Sequence, residues 1–113
     1  MSRLARLGDI EAVRVQGKRF RTTQFEVRYL ASPLRRPRVG VIVPLFGHTA
    51  VERNAVKRRL RELVRTALLP LLAPVDMIIR VSPAAYKASF DTLRGAVEQT
   101  ARQLPVESPR NAT

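Results

Sequence analysis

The stretch of the chain most able to do chemistry is a strongly basic one, AVERNAVKRRLRELVR, at residues 50–65. It carries six cationic and two acidic side chains. On a helix, Arg53, Lys57, Arg61 and Arg65 stack like charges on successive turns, and each such pair destabilises the helix by roughly 0.2–0.5 kcal/mol. Guanidinium groups bind phosphate oxygens through paired hydrogen bonds and also stack on bases. The spacing therefore favours a surface that binds a polyphosphate, with a solvated basic face as the plainer alternative.

A helical wheel divides this stretch into two neighbouring stripes. The apolar stripe, which should pack on the core, consists of Val56, Leu60, Leu63, Val64 and Ala67. The polar stripe consists of Asn54, Lys57, Arg58, Arg61 and Arg65, with Arg53 at the boundary between the two stripes. Asn54 adds a side chain that both donates and accepts hydrogen bonds, which suits contacts to sugars and bases.

The side chains with which a nuclease would do its own chemistry are sparse. The chain has one histidine, His48, and no cysteine. Its nine acidic residues show no metal-ligand spacing, and the closest pair, Asp9 and Glu11, would diverge by about 200° on a helix. Two-metal hydrolysis of a phosphodiester needs a cluster of carboxylates. We therefore predict neither a catalytic residue nor a metal site in this chain.

The composition points to nucleic acid as the partner. The formal net charge is +12, and 45% of the residues are hydrophobic, which is typical of a globular domain. So large a positive charge repels itself, and a partner rich in phosphate would relieve that repulsion. An anionic membrane surface is the second candidate, but the N-terminus lacks the apolar core of a signal peptide. The longest apolar stretch, ALLPLLAPV, is too short to span a bilayer, so we predict a cytoplasmic protein without membrane association.

Periodicity and capping signals predict an α+β chain with the order α-β-β-α-β-α and an extra short strand near residues 18–22. We expect one domain over residues 1–105 and a flexible tail at residues 106–113. The predicted strands lie within residues 20–32, 38–46 and 75–81. The first predicted helix runs from Leu4 to about Val15, and the second runs from Ala50 to about Leu69 behind a Thr49–Glu52 capping box. The third begins at Phe90 behind a Ser89 cap. Its apolar seam consists of Phe90, Leu93, Val97, Ala101 and Leu104.

Thirteen residues of the basic stretch, AVERNAVKRRLRE, resemble the RNR signature of the protein subunit of bacterial ribonuclease P, roughly Ala-Val-x-Arg-Asn-Arg-x-Lys-Arg-x-x-Arg. Upstream, RVGVIVP resembles the Arg-Val-Gly strand of that family, and VDMIIRVSPAA resembles its later strand and turn. The resemblance covers most of the chain, but its specific part is the thirteen-residue run. The matching positions are Ala50, Val51, Arg53, Asn54, Lys57, Arg58 and Arg61.

The resemblance implies a two-layer α/β sandwich with a left-handed β-α-β crossover, which departs from the usual right-handed rule. It implies an accessory subunit whose RNA partner holds the catalytic Mg²⁺ ions and removes the 5′ leader of precursor tRNA. No cofactor bound by the protein alone and no obligate protein partner are implied. The residues that would bind the catalytic RNA are Arg53, Asn54, Lys57, Arg58, Arg61 and Arg65. The candidates for the leader cleft are Ile10, Arg14, Phe25 and Arg28, although a core position explains Phe25 equally well.

The sequence also departs from the family pattern. Ala55 replaces the second arginine of the RNR triplet, and Leu45 and Phe46 stand where cations are common. Basic residues outside the helix are interpreted as peripheral phosphate contacts; they are Lys18, Arg19, Arg21, Arg35, Arg36 and Arg38.

Three other functions remain open from the residues alone. The first is a basic ribosomal or ribosome-associated RNA-binding module, which would prefer ribosomal RNA. The second is a protein that reads duplex DNA with the basic helix in the major groove. The third is a stand-alone nuclease, which the lack of a carboxylate cluster argues against.

Overall fold

The computed structural model describes Leu4 and residues 7–104, which form three α-helices and four strands. The helices are α1 (Leu7–Gln16), α2 (Ala50–Leu63) and α3 (Phe90–Gln103). The strands are β1 (Lys18–Arg21), β2 (Phe25–Ala31), β3 (Arg38–Ile42) and β4 (Val75–Val81). The predicted order is confirmed, including the extra short strand, whereas α1 begins at Leu7 and not at Leu4. The predicted tail at residues 106–113 and its boundary lie outside the described residues.

The four strands form one mixed sheet with the order β1-β2-β4-β3. β1 pairs with β2 and β2 with β4 in antiparallel fashion, and β3 pairs with β4 in parallel. A parallel pair needs a long crossover connection, and here that connection contains α2. The sheet with its packed helices confirms the predicted α+β sandwich, and the left-handed sense of the crossover stays a prediction.

Alternation along β4 divides the core between the two faces of the sheet. Met77, Ile79 and Val81 point to one face, where the side chains of α2 and α3 complete the main core. Ile78 points to the other face, where it packs with Leu4 and α1 in a smaller cluster. The helical layer of the sandwich is therefore α2 with α3, and α1 adds a partial cover on the opposite face that the two-layer prediction did not include.

Both predicted helix caps are confirmed. The Thr49 hydroxyl accepts a hydrogen bond from the Glu52 backbone N–H (3.1 Å), and a Glu52 carboxylate oxygen accepts one from the Thr49 N–H (2.8 Å). The first of these bonds satisfies an orphan donor of the first turn of α2. At α3, the Ser89 hydroxyl accepts from the Thr92 N–H (3.1 Å). The capping residues therefore determine where both helices begin.

The end of the basic helix differs from the predicted one. The α-helix stops at Leu63, and a π-helical turn (Val64–Leu68) and a 3-10 turn (Leu69–Leu71) continue the chain. A regular α-helix cannot continue through Pro70, which has no N–H to donate to the carbonyl four residues earlier, although Leu69 before it keeps helical backbone angles. The Leu69 N–H bonds to the Val64 carbonyl instead.

The apolar seam of α3 is confirmed except at its first residue. Leu93, Val97, Ala101 and Leu104 are buried in the main core. Phe90 is 39% exposed, with the Arg94 guanidinium 5.7 Å from the centre of its ring. The seam prediction was wrong for Phe90, which forms the exposed start of the first turn.

Arg38 contributes to stability and does not form the peripheral phosphate contact predicted for it. It is 9% exposed, and its Nε and Nη2 donate to the two carboxylate oxygens of Asp76 at 2.9 and 2.7 Å. Its Nη1 donates to Asp9 of α1 at 3.2 Å. The hydrogen bonds that Arg38 donates to Asp76 raise the pKa of Arg38 above its ordinary value, so the guanidinium stays charged. This paired guanidinium ties β3, β4 and α1 together.

Gly40 in the Arg-Val-Gly strand allows another segment to cross β3. A Cβ atom at Gly40 would lie 2.8 Å from the Leu4 carbonyl oxygen, too close for any side chain. The Leu4 N–H donates to the Val39 carbonyl oxygen (3.2 Å), and the Leu4 side chain is buried. The glycine therefore permits the close approach that buries Leu4 against Ile78.

Candidate nucleic-acid interface

The predicted polar stripe forms a solvent-facing cationic ridge on α2 and on the π-helical turn that follows it; the ridge is defined here as Asn54, Lys57, Arg58, Arg61 and Arg65. All of these are exposed except Lys57, which is half-buried. The helix turns its other face to the main core, where four residues of the predicted apolar stripe are buried; they are Val56, Leu60, Leu63 and Val64. Ala67 is half-buried, and Leu68 fills the fully buried position beside it. The orientation predicted from the wheel is therefore correct.

The arginines of the ridge differ in how they are held within the protein. The Arg65 guanidinium donates to both carboxylate oxygens of Glu62, at 2.6 and 3.4 Å. Arg58 and Arg61 make neither a hydrogen bond nor an ion pair with any described residue. Because an exposed ion pair contributes little free energy, Arg65 can exchange Glu62 for a phosphate at small cost.

Arg53 lies at the boundary of the ridge, as predicted, and is half-buried. Its Nε is shielded from solvent and finds no hydrogen-bond acceptor within the part of the chain that the structure describes. A buried N–H donor without a partner costs free energy, which an incoming acceptor would recover.

A groove runs between α1 and the face of the sheet that α1 partly covers. We call it the sheet groove; it is lined by Ile10, Arg14, Glu26, Arg28, Ile42, Ile78 and Arg80. Three of the four residues predicted for a leader cleft, namely Ile10, Arg14 and Arg28, therefore come together there. An apolar floor with arginines on its walls suits a single nucleic-acid strand, because apolar surface contacts the bases and guanidinium groups bind the phosphates.

Phe25, the fourth predicted cleft residue, is not available for stacking. Side chains alternate along β2, so Phe25 points away from the face that carries Arg28. Its side chain is fully buried in the main core, between the sheet and the helical layer. Of the two explanations that the sequence left open, the structure favours the core position.

Glu26 sits among arginines at the centre of the sheet groove. Its carboxylate oxygens lie 3.2 Å from Arg21, 3.4 Å from Arg28 and 3.5 Å from Arg19. Partial burial acts to raise the pKa of Glu26, but the hydrogen bond from Arg21 and the charges of Arg28 and Arg19 outweigh it, so that pKa lies below its ordinary value. The carboxylate is thus ionised at neutral pH and holds its neighbours in place without cancelling the positive charge of the groove.

The three arginines that line the sheet groove differ in how firmly they are held within the protein. Arg14 pairs with Glu11 on the exposed side of α1, and this pairing lowers the pKa of Glu11. The Arg28 Nη1 donates to the Arg14 carbonyl oxygen at 2.8 Å, which fixes Arg28 against α1. Arg80 is exposed and has no hydrogen bond to any described residue, so it is the guanidinium of the groove most available to a ligand. Reasoning from the sequence missed Arg80, although its polar side chain among the apolar residues of β4 was a usable signal.

Comparison with known proteins decides the family. The family model described as Ribonuclease P matches residues 1–105. The chain belongs to the ribonuclease P protein family. The protein component from Syntrophobacter fumaroxidans is 37% identical to this chain over 82 residues, which are 72% of this chain and 69% of the relative. The component from Acidothermus cellulolyticus is 35% identical and covers 87% of this chain and 89% of its own length.

Solved structures support the fold of a ribonuclease P protein. The Staphylococcus aureus RNase P protein superposes with a TM-score of 0.84 at 20% identity, covering 94% of this chain and 97% of its own. The Thermotoga maritima RNase P protein gives a TM-score of 0.79 at 21% identity, covering 89% and 99% of the two chains. The resemblance drawn from the RNR signature is thus confirmed, and the chain is a subunit of a ribonuclease that processes tRNA and works with the ribonuclease P RNA.

Two further observations bear on what a ribonuclease P protein can bind. Among Leu4 and residues 7–104, no three His, Asp or Glu side chains come together in a group that could hold a metal ion. Over the same residues, no helix combines the length and the hydropathy that crossing a bilayer requires.

Proposed function

We propose that this protein binds the catalytic RNA of ribonuclease P through the cationic ridge and the 5′ leader of precursor tRNA through the sheet groove. In this role it promotes maturation of the tRNA 5′ end, while the RNA performs the hydrolysis. The observation that carries the proposal is the exposure of Arg58 and Arg61, which have no partner among the described residues, on a helix whose opposite face is buried in the core.

The ridge suits a folded RNA because of its rigidity. The capping box fixes the first turn of α2, and the buried residues Val56, Leu60 and Leu63 fix its rotation about the helix axis. Arginine side chains on such a helix approach phosphates from a defined direction, and less of their freedom is lost on binding than on a mobile loop. The half-buried Arg53 Nε, which lacks an acceptor in the described chain, is a further donor for an RNA oxygen.

The sheet groove suits a single strand that has no base-paired partner. Arg14, Arg28 and Arg80 supply positive charge, while Ile10 and Ile78 supply apolar contact. None of these side chains reads base identity in the way that a major-groove contact does, so the groove should accept leaders of varied sequence.

Magnesium belongs to the RNA and the substrate in this proposal. Several of the described carboxylates already have partners within the protein: Asp76 and Asp9 bind Arg38, Glu26 binds its neighbouring arginines, and Glu52 caps α2. When bound by the RNA, Mg²⁺ would activate the attacking water and stabilise the leaving oxygen. The residues of this chain hold the RNA and the leader in position for that chemistry.

Reconstitution tests the proposed function. The purified protein is mixed with a ribonuclease P RNA at low magnesium, and removal of the leader from precursor tRNA is followed over time. We expect faster removal than with the RNA alone, and no cleavage by the protein without RNA. Equal rates with and without protein would contradict the proposal, as would tighter binding to ribosomal RNA than to the ribonuclease P RNA. Cleavage by the protein alone would instead support a stand-alone nuclease.

Arg80 gives a sharper test of the groove. We expect Arg80→Ala to weaken the affinity of the holoenzyme for precursor tRNA by roughly tenfold, because a hydrogen bond to a charged phosphate contributes about 1.5 kcal/mol or more. Arg94→Ala is the matched control, because this substitution removes the same charge from an exposed position. Arg94 lies on α3, where it packs over Phe90. Binding of mature tRNA is measured in parallel. An equal loss for mature and precursor tRNA would show that Arg80 does not contact the leader.

A further inference from the structure

The loop between β3 and α2 holds an aromatic ring in an unusual position. Phe46 is 43% exposed, and its backbone φ is +48°, followed by Gly47 at +86°. A bulky residue rarely adopts positive φ, because its Cβ then crowds the backbone. The loop therefore presents Phe46 toward solvent in a conformation that surrounding contacts must maintain.

Those contacts come from a small aromatic stack. The Phe46 ring meets Tyr86 edge to face, with centroids 6.4 Å apart and an angle of 88°. On Tyr86 lies the His48 ring, stacked in parallel at 3.9 Å. The Tyr86 hydroxyl donates to the Pro44 carbonyl oxygen (2.7 Å), and the backbone N–H of His48 donates to the Leu45 carbonyl oxygen (2.8 Å). We call Phe46, His48 and Tyr86 the aromatic platform; it holds the Phe46 ring in place and leaves part of that ring open.

Phe46 also lines a second groove, the loop groove, which adjoins the sheet groove. The two grooves share Glu26 and Arg80, so their linings form one continuous surface. The loop groove adds Arg21 and the small polar side chains of Thr22, Thr23 and Ser82. The charged residues that line the two grooves are one glutamate, Glu26, and four arginines, namely Arg14, Arg21, Arg28 and Arg80. Glu26 is paired with Arg21, with Arg28 and with Arg19, which lies outside both linings.

We propose that Phe46 is a base-stacking residue that holds one nucleotide of the single-stranded leader in the loop groove, beyond the sheet groove. The inference rests on the proposed function and extends it to a residue and a path. Positive charge along the whole lining favours a polyanionic strand over a neutral or basic partner. Of the two phenylalanines that line these grooves, Phe25 is fully buried and Phe46 is open, so Phe46 is the ring on which a base can stack. Every base has a π face, so the contact should tolerate any base.

The test uses the reconstituted holoenzyme and precursor tRNAs whose leaders are lengthened one nucleotide at a time. For wild-type protein, we expect affinity to rise at the leader length that first reaches Phe46. Phe46→Ala should remove that rise and weaken binding of long-leader precursor by about 5- to 100-fold, the range expected for loss of one base stacked on an aromatic ring. Leaders too short to reach the loop, and mature tRNA, should bind as they do to wild type. An abasic nucleotide at the critical position should reproduce the loss with wild-type protein.

Two further variants separate stacking from packing. Phe46→Trp keeps a ring and should keep the affinity, whereas Phe46→Leu keeps apolar bulk against Tyr86 but should lose affinity as Phe46→Ala does. Full affinity in Phe46→Leu would overturn stacking in favour of a packing role, and so would wild-type behaviour of all the variants. Weakened assembly with the RNA subunit, with unchanged dependence on leader length, would place the platform against that subunit and overturn the proposal. If wild-type protein does not promote cleavage in the reconstitution assay, the proposed function itself is wrong. That result is obtained before any Phe46 variant is tested, so it is distinguished from a failure of the stacking proposal.

Discussion

Replacing Arg58 and Arg61 together with alanine is expected to weaken assembly with the ribonuclease P RNA by about 100-fold or more. Both side chains are exposed and make no bond to a described residue, so the protein itself should lose little by their removal. Each charge-assisted hydrogen bond to phosphate contributes about 1.5–3 kcal/mol, and two lost bonds therefore exceed a factor of 100 in the dissociation constant. The free energy of unfolding should stay within about 0.5 kcal/mol of wild type, as for other surface substitutions.

The measurement is a titration of labelled RNA with protein at several salt concentrations. Loss of two phosphate contacts should also make the slope of log K against log salt shallower by roughly 1.4–1.8, because each contact releases counterions. The matched control is Arg59→Ala with Arg94→Ala, which removes the same charge from exposed positions outside the ridge. If the control pair weakens assembly equally, net charge and not the ridge determines binding. If the Arg58 and Arg61 variant unfolds, those residues are structural.

Removal of the Asp76 carboxylate is expected to produce the largest loss of stability of any single change considered above. Asp76 is 4% exposed and accepts two hydrogen bonds from Arg38, which is itself buried. Asp76→Ala leaves that guanidinium charged and without its main partner, and breaking a buried pair in this way costs about 3–5 kcal/mol. For a domain stable by about 5–15 kcal/mol, this is a large share of the total.

Denaturant unfolding measures the effect. Asp9→Ala is the matched control: it removes a partly exposed carboxylate from the same guanidinium and should cost about 0.5–1.5 kcal/mol, as for an ordinary hydrogen bond. The double variant Arg38→Met, Asp76→Leu replaces the pair by apolar side chains and should recover much of the loss. A loss below about 1 kcal/mol for Asp76→Ala would show that water reaches the pair in solution.

The local features of the fold could be predicted from the sequence because local chemistry determines them. Thr49 and Glu52 mark the start of α2, and the β-branched residues of VDMIIRV, residues 75–81, mark a strand. The wheel placed the ridge correctly, because the same period of 3.6 residues governs both the buried and the exposed face of a helix.

The missed features depend on residues that are distant in the chain. From the sequence, Arg38 is one more cation in a basic turn, so it was predicted to contact phosphate. Its burial depends on pairing with Asp76 of the neighbouring parallel strand, which is distant in the chain. Alternation put Phe25 and Arg28 on opposite faces of β2, but nothing local showed which face α1 would cover. The family resemblance supplied three residues that line the sheet groove, namely Ile10, Arg14 and Arg28. Phe25, which was grouped with them, takes the core position that the sequence had left open, and Arg80 was overlooked.

The position of β4 at the centre of the sheet has a consequence for the order of folding. β4 pairs with β2, where Phe25 lies opposite Val81, and with β3, where Arg38 lies opposite Asp76. Because the paired residues are far apart in the sequence, forming either ladder closes a long loop of the chain. Sheets dominated by such distant pairings fold slowly, because loop-closure entropy is lost before the contacts form. During synthesis, α2 leaves the ribosome before the strand that completes the core beneath it. A nascent chain that ends before residue 75 should thus display the arginines of the ridge without the scaffold that orients them, and the RNA-binding surface should mature only when the last third of the protein has been made.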